Sequence, residues 1–558
     1  MIKAFLDILR LMWLGANTPK LKFRLVLNIA CGAFAGFFIF LNYYLLSTLL
    51  SGLATDSPEV IRRNLVFLVA SSMSTVVLWW VFRYFAEFLC YAIPFNLRKY
   101  YYNVVYHKSY SWHLKNSVGY FQSMLEKVMG VVNNWCVMFS WRYVSSAVFF
   151  ACFFIYTYFI SPYLMLYFLV CIVVMVATIR TTYNKRMRLV KEFSILDRLF
   201  GKAFTDFLYN VRTVKKMNLL SFTTTRLEDF GSAANDKYSE LQRHNSLQWG
   251  LQEFFIRAQF LIPLVYFVLN FIKTGEGLST IILLATVQGH MSTTAEKMMH
   301  FMSETSKFKE DLALLAGYID NTGARGGVAP RRKWKKICFR NTCLRLDADT
   351  ERDLGIFEHR VGNFEIARGE HIAVMGKSGE GKTTFLNLLT RQFGPCEGCI
   401  TLDDTPYNSL PQSFFDSEFT YISQDVELFD MSFYDNITMG RKVSRAKLDE
   451  VLRDCCLDDL VKRLKGNLDT DIGEKGVRVS AGEKQRINLA RGLLLDRSVL
   501  VLDEITANLD PATTSHIWRS IFKKHGDKTI IAISHEPELV RHVGKKLRFK
   551  SGVAKPVA

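Results

Sequence analysis

A glycine-rich segment that ends in Lys and Thr carries the clearest chemical signal in this chain. Residues 376–383 read GKSGEGKT and match the phosphate-binding pattern G-x-x-x-x-G-K-[ST] at every fixed position. Glycines let backbone N–H groups close around phosphates, Lys382 reaches the β and γ oxygens, and Thr383 offers a hydroxyl to Mg²⁺. An apolar strand before the segment and a helix after it complete the motif, which predicts binding of a nucleoside triphosphate. The predicted phosphate-binding residues are Gly376, Lys377, Ser378, Gly379, Glu380, Gly381, Lys382, Thr383 and Thr384.

A second chemical group follows an apolar run near the end of the chain. Residues 499–502 (VLVL) predict a buried strand, and this strand ends in Asp503 and Glu504. Carboxylates beside a buried strand are costly unless they have a chemical task. We expect Asp503 to hold Mg²⁺ and Glu504 to polarise the attacking water as a general base.

The first half of the chain is strongly apolar, unlike the second half, which contains the residues described above. The 558 residues include 44 Phe and carry a formal net charge of +18, and the long apolar runs lie within residues 1–300. Lys and Arg flank these runs rather than forming a basic arm, as expected for the cytoplasmic loops of a membrane protein. The charge therefore predicts a membrane protein and no nucleic-acid partner.

The apolar runs predict six membrane-spanning helices behind an amphipathic helix at residues 1–23 that lies on the cytoplasmic face. Basic connections lie inside and nearly uncharged ones outside, which places both termini in the cytoplasm. We predict a six-span α-helical transmembrane domain at 1–320, a linker at 321–336 and an α/β P-loop domain at 337–558. The predicted spans are residues 25–50, 65–93, 131–160, 163–179 and 251–272, and a sixth that begins at residue 278.

The order of motifs in the second half resembles the ATPase domain of ABC transporters. Two motifs lie between the P-loop and the carboxylates: Gln424, which follows a predicted strand, and the run VSAGEKQR at 479–486. Two more follow the carboxylates: the run NLD at 508–510, and His535, which comes after another predicted strand. Because six predicted spans precede this domain on the same chain, the whole chain resembles the exporter-type (type IV) half-transporters.

The resemblance implies a role for each matching residue. Glu504 is the base, His535 holds the γ-phosphate, and Gln424 senses the metal and the water, so that Thr383, Gln424 and Asp503 surround Mg²⁺. Ser480 and Gly482 close on the nucleotide held by a second half-transporter. The cofactors are then ATP and Mg²⁺.

The implied activity is ATP hydrolysis coupled to transport by alternating access in a multi-pass protein of the plasma membrane, in bacteria the inner membrane. The partners are membrane lipid, a second half-transporter, and an amphipathic lipid-like or peptide substrate whose identity the sequence does not disclose. Two alternatives stay open: a heterodimer with one impaired ATP site, and an ATP-gated regulator or channel. The direction of transport is also inferred from the resemblance alone.

Two features depart from the family pattern, the signature and the residue that stacks on adenine. The signature reads VSAGE where the family usually has LSGGQ, so that Ala481 adds a methyl group and Glu483 adds a charge near the phosphates. Either change can slow hydrolysis. The alternative is that a signature with these residues still supports hydrolysis. The aromatic residue that usually stacks on adenine is replaced by Leu346, with Phe357 as a substitute.

Ionisable residues within predicted spans are functional candidates, because they are costly in hydrocarbon. Arg83 and Glu87, and likewise Glu253 and Arg257, stand four residues apart and are expected to neutralise each other on one helix face. They predict a polar cavity open to the cytoplasm, or else helix ends that extend into water.

Overall fold

The chain folds into a helical unit and an α/β unit. A computed structural model describes residues 2–53, 56–108, 112–113, 116, 118–319, 333–346, 357–392, 397–424, 426–472, 477, 479–534, 536–550 and 552–557. Packing divides the chain into a first unit, Met1–His107 with Asn116–Asn321, and a second unit, Lys108–Lys115 with Thr322–Ala558.

The first unit is helical. Its described α-helices are α1 (Ile2–Gly15), α2 (Pro19–Gly52), α3 (Pro58–Tyr106), α4 (Val118–Met138), α5 (Ser145–Ile160), α6 (Pro162–Tyr209), α7 (Val211–Lys216), α8 (Leu220–Thr274) and α9 (Leu278–Ile319), and a π-helical segment, Phe139–Val144, joins α4 to α5. Proline occupies the first position of α2, α3 and α6, where its fixed φ and missing N–H suit a helix start. The apolar face of α1 packs into the core of this unit through Ile8 and Met12.

Within the described residues, four helices are long and apolar enough to cross a membrane: Pro19–Gly52, Pro58–Tyr106, Phe121–Ile160 and Leu220–Thr274. Two shorter apolar stretches, Pro162–Val174 and Leu278–His290, open α6 and α9. Helices satisfy their own backbone hydrogen bonds, which hydrocarbon requires. The chain is therefore a multi-pass membrane protein with a helical membrane domain, as predicted, whereas the number of six spans stays a prediction.

Small residues let α2 approach the π-helical segment closely. Gly32 and Gly36 stand four residues apart on α2, and a Cβ atom at either position would overlap a backbone carbonyl, that of Ser140 or of Ser145. One turn earlier, the buried Asn28 side chain accepts a hydrogen bond from the Ser140 hydroxyl and donates one to the Phe82 carbonyl at 3.4 Å. Close backbone contact and interhelical hydrogen bonds are the main sources of helix association in lipid.

A proline within α8 creates a link to α6. Pro263 has no N–H, so the carbonyl of Gln259, four residues earlier, lacks its usual helical donor. The Tyr167 hydroxyl donates to this carbonyl at 3.0 Å. Pro263 thus frees the Gln259 carbonyl, which accepts a hydrogen bond from the other helix.

The ion pairs predicted within the helices are confirmed. Arg83 Nε lies 2.6 Å from Glu87 Oε1, and Arg257 Nη2 lies 2.7 Å from Glu253 Oε1. All four side chains are exposed on the isolated chain. The structure therefore shows the neutralisation, while the predicted polar cavity stays a prediction.

The second unit is an α/β domain built on one mixed sheet, which confirms the predicted fold class for this half of the chain. Its strands are β1 (Lys336–Leu346), β2 (Phe357–Val361), β3 (Phe364–Ala367), β4 (His371–Met375), β5 (Glu397–Leu402), β6 (Thr405–Pro406), β7 (Phe419–Ile422), β10 (Val499–Asp503), β11 (Thr529–Ile533), β12 (Lys545–Lys550) and β13 (Val553–Val557), and β8 (Met431–Ser432) pairs separately with β9 (Asp471–Ile472). The strand order is β6-β5-β1-β2-β13-β12-β4-β11-β10-β7, with β3 beside β1. Strands β12, β4, β11, β10 and β7 are mutually parallel.

Helices cover both faces of the parallel strands. The described helices of this unit are α10 (Lys382–Leu389), α11 (Gln412–Glu418), α12 (Phe433–Thr438), α13 (Arg445–Asp454), α14 (Asp458–Arg463), α15 (Ala481–Leu493), α16 (Pro511–His525) and α17 (Pro537–His542). Every residue of β10 and β11 is buried, and alternate residues enter two different cores. Leu500 faces the core of α15 and α16, and Val501 faces the core of α10, because successive strand residues point to opposite faces.

The ordered domain begins before residue 337. Trp334, within the predicted linker, is buried in the core of the second unit and donates from Nε1 to Glu418 Oε2 at 3.0 Å. Lys336 already belongs to β1. An apolar ring that finds a core and a partner for its N–H is stabilised there despite the basic residues around it.

We predict that Gly32→Ala destabilises the membrane unit. The added methyl group overlaps the Ser140 carbonyl, so α2 must move away from it at a cost of about 1–3 kcal/mol. Gly130→Ala on α4 is the matched control, because a Cβ atom there meets no neighbour and helix propensity favours Ala by up to about 1 kcal/mol. Thermal unfolding of both variants in the same detergent checks this, and equal melting temperatures would contradict the close contact.

Candidate nucleotide-binding site

The predicted site residues lie together because parallel strands end at the same edge of the sheet. Strand β4 leads into the P-loop, β10 ends in Asp503, and β7 is followed two residues later by Gln424. The neighbouring order β4-β11-β10-β7 brings these three ends side by side. This edge is where ligands bind in open α/β sheets.

The P-loop curves around the ammonium group of Lys382. Its Nζ donates to the carbonyls of Gly376 at 2.8 Å and Lys377 at 3.0 Å, and the side chain is only 6% exposed. Gly376 has φ 153°, and a Cβ atom there would lie 2.9 Å from the Phe549 carbonyl, so only glycine fits. The Lys377 N–H donates to the Glu380 carboxylate of the same loop at 2.7 Å.

Thr383 and Asp503 form an oxygen pair suited to Mg²⁺. Asp503 is 2% exposed and accepts a hydrogen bond from the Tyr421 hydroxyl at 3.0 Å, and the Thr383 hydroxyl lies close to the same carboxylate. Burial raises the pKa of Asp503, and the two hydroxyls oppose the rise. A hard cation prefers such carboxylate and hydroxyl oxygens, so these residues fit Mg²⁺ next to a bound phosphate.

Glu504 stands next to Gln424 at the same edge. Gln424 Nε2 donates to Glu504 Oε2 at 3.0 Å. Glu504 has φ +47°, an uncommon conformation for a residue with a side chain, and its N–H donates to the Ile533 carbonyl at 3.1 Å. Such local strain is typical of functional sites, where it turns a side chain away from the strand direction.

The signature segment starts helix α15 through a reciprocal cap. The Glu483 N–H donates to Ser480 Oγ at 3.2 Å, and the Ser480 N–H donates to Glu483 Oε2 at 2.8 Å. Arg463 Nη2 also donates to Glu483 Oε2, at 3.0 Å. Burial would raise the pKa of Glu483, but the hydrogen bonds to Ser480 and Arg463 outweigh it and the pKa is lowered. The charge that distinguishes this signature is therefore compensated within the chain.

Gly482 packs against the segment after the second chemical group. A Cβ atom at Gly482 would lie 3.0 Å from both the Asn508 carbonyl and Leu509 Cδ2. The Asn508 N–H donates to Gln485 Oε1 at 3.3 Å. The signature helix and the NLD run are thus held together, and the predicted contact of Gly482 with a partner's nucleotide stays a prediction.

Some predicted residues fall outside the described part of the chain. His535 is one of them, so its role stays a prediction. Leu346 and Phe357 are cross-strand partners of β1 and β2, but their side chains are not among those described, and adenine stacking stays untested. The signature helix α15 begins at Ala481, directly after the Ser480 cap.

Sequence reasoning missed Tyr421 and Arg463. Tyr421 contacts Asp503 across 82 positions of sequence, and Arg463 contacts Glu483 across 20. The alternation of β7 places Tyr421 on a definite face, but the neighbouring strand is known only from the folded sheet.

Two family models match the chain in separate regions. Residues 23–293 match the ABC transporter transmembrane region, and residues 360–507 match ABC transporter. Together they cover about three quarters of the chain, in the order of its two units. The chain belongs to the ABC transporter family.

Known ABC transporters resemble this chain in part of its sequence and in its fold. The ATP-dependent lipid A-core flippase of Burkholderia orbicola (strain AU 1054) is 34% identical over 190 residues, which are 34% of this chain and 32% of that protein. The flippase of Cupriavidus metallidurans is 32% identical over 245 residues, 43% of this chain and 40% of that protein. The chain thus matches about a third of the length of such relatives. A solved bacterial Atm1-family ABC exporter with ATP bound shares the fold, with TM-score 0.84 and 21% identity over 96% of this chain and 95% of the other.

We predict that the Glu483 side chain supports the signature helix through its hydrogen bonds and does not slow the site. Glu483→Ala removes half of the cap and is expected to lower the free energy of unfolding by about 1–2 kcal/mol. Glu483→Gln is the matched control, because its amide oxygen can still accept from the Ser480 N–H. ATP hydrolysis by Glu483→Gln is expected within about twofold of the wild type. A several-fold faster Glu483→Gln would show instead that the carboxylate opposes the phosphates.

Proposed function

We propose that this chain is one half of a dimeric ATP-driven transporter that moves a lipid-like amphipathic substrate across a membrane. The observation that carries the proposal is the P-loop with Asp503, Glu504 and Gln424 at one sheet edge, on the same chain as apolar helices long enough to cross a membrane. Because the ATP site is on the same chain as the membrane helices, the energy of hydrolysis can be used to move those helices.

The residues of the site divide the phosphoryl-transfer chemistry among them. The P-loop amides and Lys382 bind the phosphates, and Thr383 with Asp503 holds Mg²⁺, which neutralises charge on the transferred group. Glu504 accepts a hydrogen bond from Gln424, which orients its carboxylate, and it polarises the attacking water. His535 holds the γ-phosphate in this proposal.

A second copy of the chain completes each ATP site. The Ser480 side chain is exposed, and its oxygen already accepts the Glu483 N–H, so its hydroxyl proton is available for a phosphate of the opposite subunit. The compensation of Glu483 by Arg463 supports a working signature and hence a homodimer. A heterodimer with one impaired site is the alternative.

The proposed topology has six spans with both termini in the cytoplasm. Four long helices and the apolar openings of α6 and α9 support this count. The bacterial inner membrane is the proposed location, since the named relatives are bacterial flippases of lipid A-core. Their names also support a lipid-like substrate over a peptide.

The decisive experiment is Mg²⁺-dependent ATP hydrolysis by this chain alone in lipid nanodiscs, beside Glu504→Gln. We expect turnover in the wild type and a loss of roughly 10²–10⁴-fold in the variant, because a general base contributes that much. Both proteins must still bind ATP, since the substitution preserves the shape of the side chain.

Translocation of a fluorescent glycolipid in proteoliposomes then separates a pump from a channel or regulator. Glycolipid movement that needs ATP and stops in Glu504→Gln supports the pump. Hydrolysis without movement of any lipid-like probe would overturn the proposed substrate class. A folded wild type that does not hydrolyse ATP would point to a heterodimer.

A further inference from the structure

Tyr421 holds one of the two carboxylates of the ATP site, although it belongs to none of the motifs identified above. Its hydroxyl donates to Asp503 Oδ2 at 3.0 Å. The residue lies in the middle of β7, the edge strand of the sheet, three positions before Gln424.

The strand register explains why these two side chains meet. In the parallel pairing of β7 with β10, Tyr421 stands beside Val501, and Asp503 lies two residues further along β10. Residues two apart on a strand share a face, and a diagonal neighbour lies within reach of a tyrosine side chain. The contact is thus built into the sheet rather than made by a flexible loop.

The aromatic ring of Tyr421 is held in place by packing in addition to its hydrogen bond with the carboxylate. Tyr421 is half-buried and packs against the core that contains Val501 and Phe419. A ring fixed in this way loses little further freedom when its hydroxyl binds Asp503. This hydrogen bond, on a side chain that is only 2% exposed, leaves Asp503 few rotamers to sample.

We propose that Tyr421 is a positioning residue that orients Asp503 for Mg²⁺ and thereby sets the metal affinity of the ATP site. The hydrogen bond occupies Oδ2, holds the carboxylate plane and leaves Oδ1 for the metal. Partners of this kind around a metal ligand typically change metal affinity by about 10–100-fold when they are removed. The inference rests on the proposed ATP site and adds a residue to it.

Tyr421→Phe in the full-length chain removes the hydroxyl and keeps the packed ring. Tyr407→Phe is the matched control, because Tyr407 is also buried in this core, 2% exposed, and its hydroxyl has no hydrogen-bond partner among the described residues. Both variants are made in the Glu504→Gln background and reconstituted in nanodiscs with ATP. The readout is the Mn²⁺ affinity measured by electron paramagnetic resonance, which needs no turnover.

We expect Tyr421→Phe to weaken Mn²⁺ binding about tenfold and Tyr407→Phe to leave it unchanged. In chains that retain Glu504, the Mg²⁺ concentration for half-maximal hydrolysis should rise by a similar factor, with most of the maximal rate recovered at high Mg²⁺. Equal Mn²⁺ affinity in Tyr421→Phe and the parent would overturn the inference and leave the ATP site intact.

Two further outcomes are distinguishable. A lower melting temperature of Tyr421→Phe with unchanged Mn²⁺ affinity would mean that the hydroxyl only stabilises a buried carboxylate, and it overturns the inference. If Tyr421→Phe does not fold, Tyr421→Leu tests the same loss of the hydroxyl with the same readout. A parent chain that binds no Mn²⁺ with ATP would overturn the proposed ATP site itself, and this inference with it.

Discussion

The burial of Asp503 is the constraint on which the ATPase unit depends. A carboxylate at the end of a fully buried strand needs partners; the Tyr421 hydroxyl donates to it, and the Thr383 hydroxyl lies close by. These partners come from β7 and from the start of α10, so that the strand order must bring β7, β10 and β4 to one edge. Satisfying one buried charge therefore assembles the loop, the metal pair and the Gln424–Glu504 contact together.

The signature helix also contains a buried carboxylate, that of Glu483, and other groups compensate it. A Glu in the third helical position closes the cap on Ser480, and Arg463 from α14 compensates its charge. Gly482 is needed because the Asn508 backbone lies against it. The neighbours of Glu483 thus compensate the charge that this departure from the usual family motif introduces.

The membrane unit follows the rule that backbone polar groups need partners in hydrocarbon. Most find them within the helices, and the Gln259 carbonyl freed by Pro263 finds the Tyr167 hydroxyl. Where α2 meets the π-helical segment, glycines replace the apolar driving force that lipid does not provide. Helix association in this unit thus rests on close contact and hydrogen bonds, unlike the apolar cores of the ATPase unit.

Residue types and their spacing were enough to predict the P-loop, the carboxylates Asp503 and Glu504, and the helical membrane half. Each of these is a property of residue types within a short stretch: phosphate needs glycines and a lysine at set spacing, and hydrocarbon needs a long apolar run. Tertiary structure alone decided which groups partner those residues. Tyr421 and Asp503 lie 82 positions apart, and Gln424 and Glu504 lie 80 apart. Their contact depends on β7 pairing with β10, and strand order is set by the packing of the whole sheet.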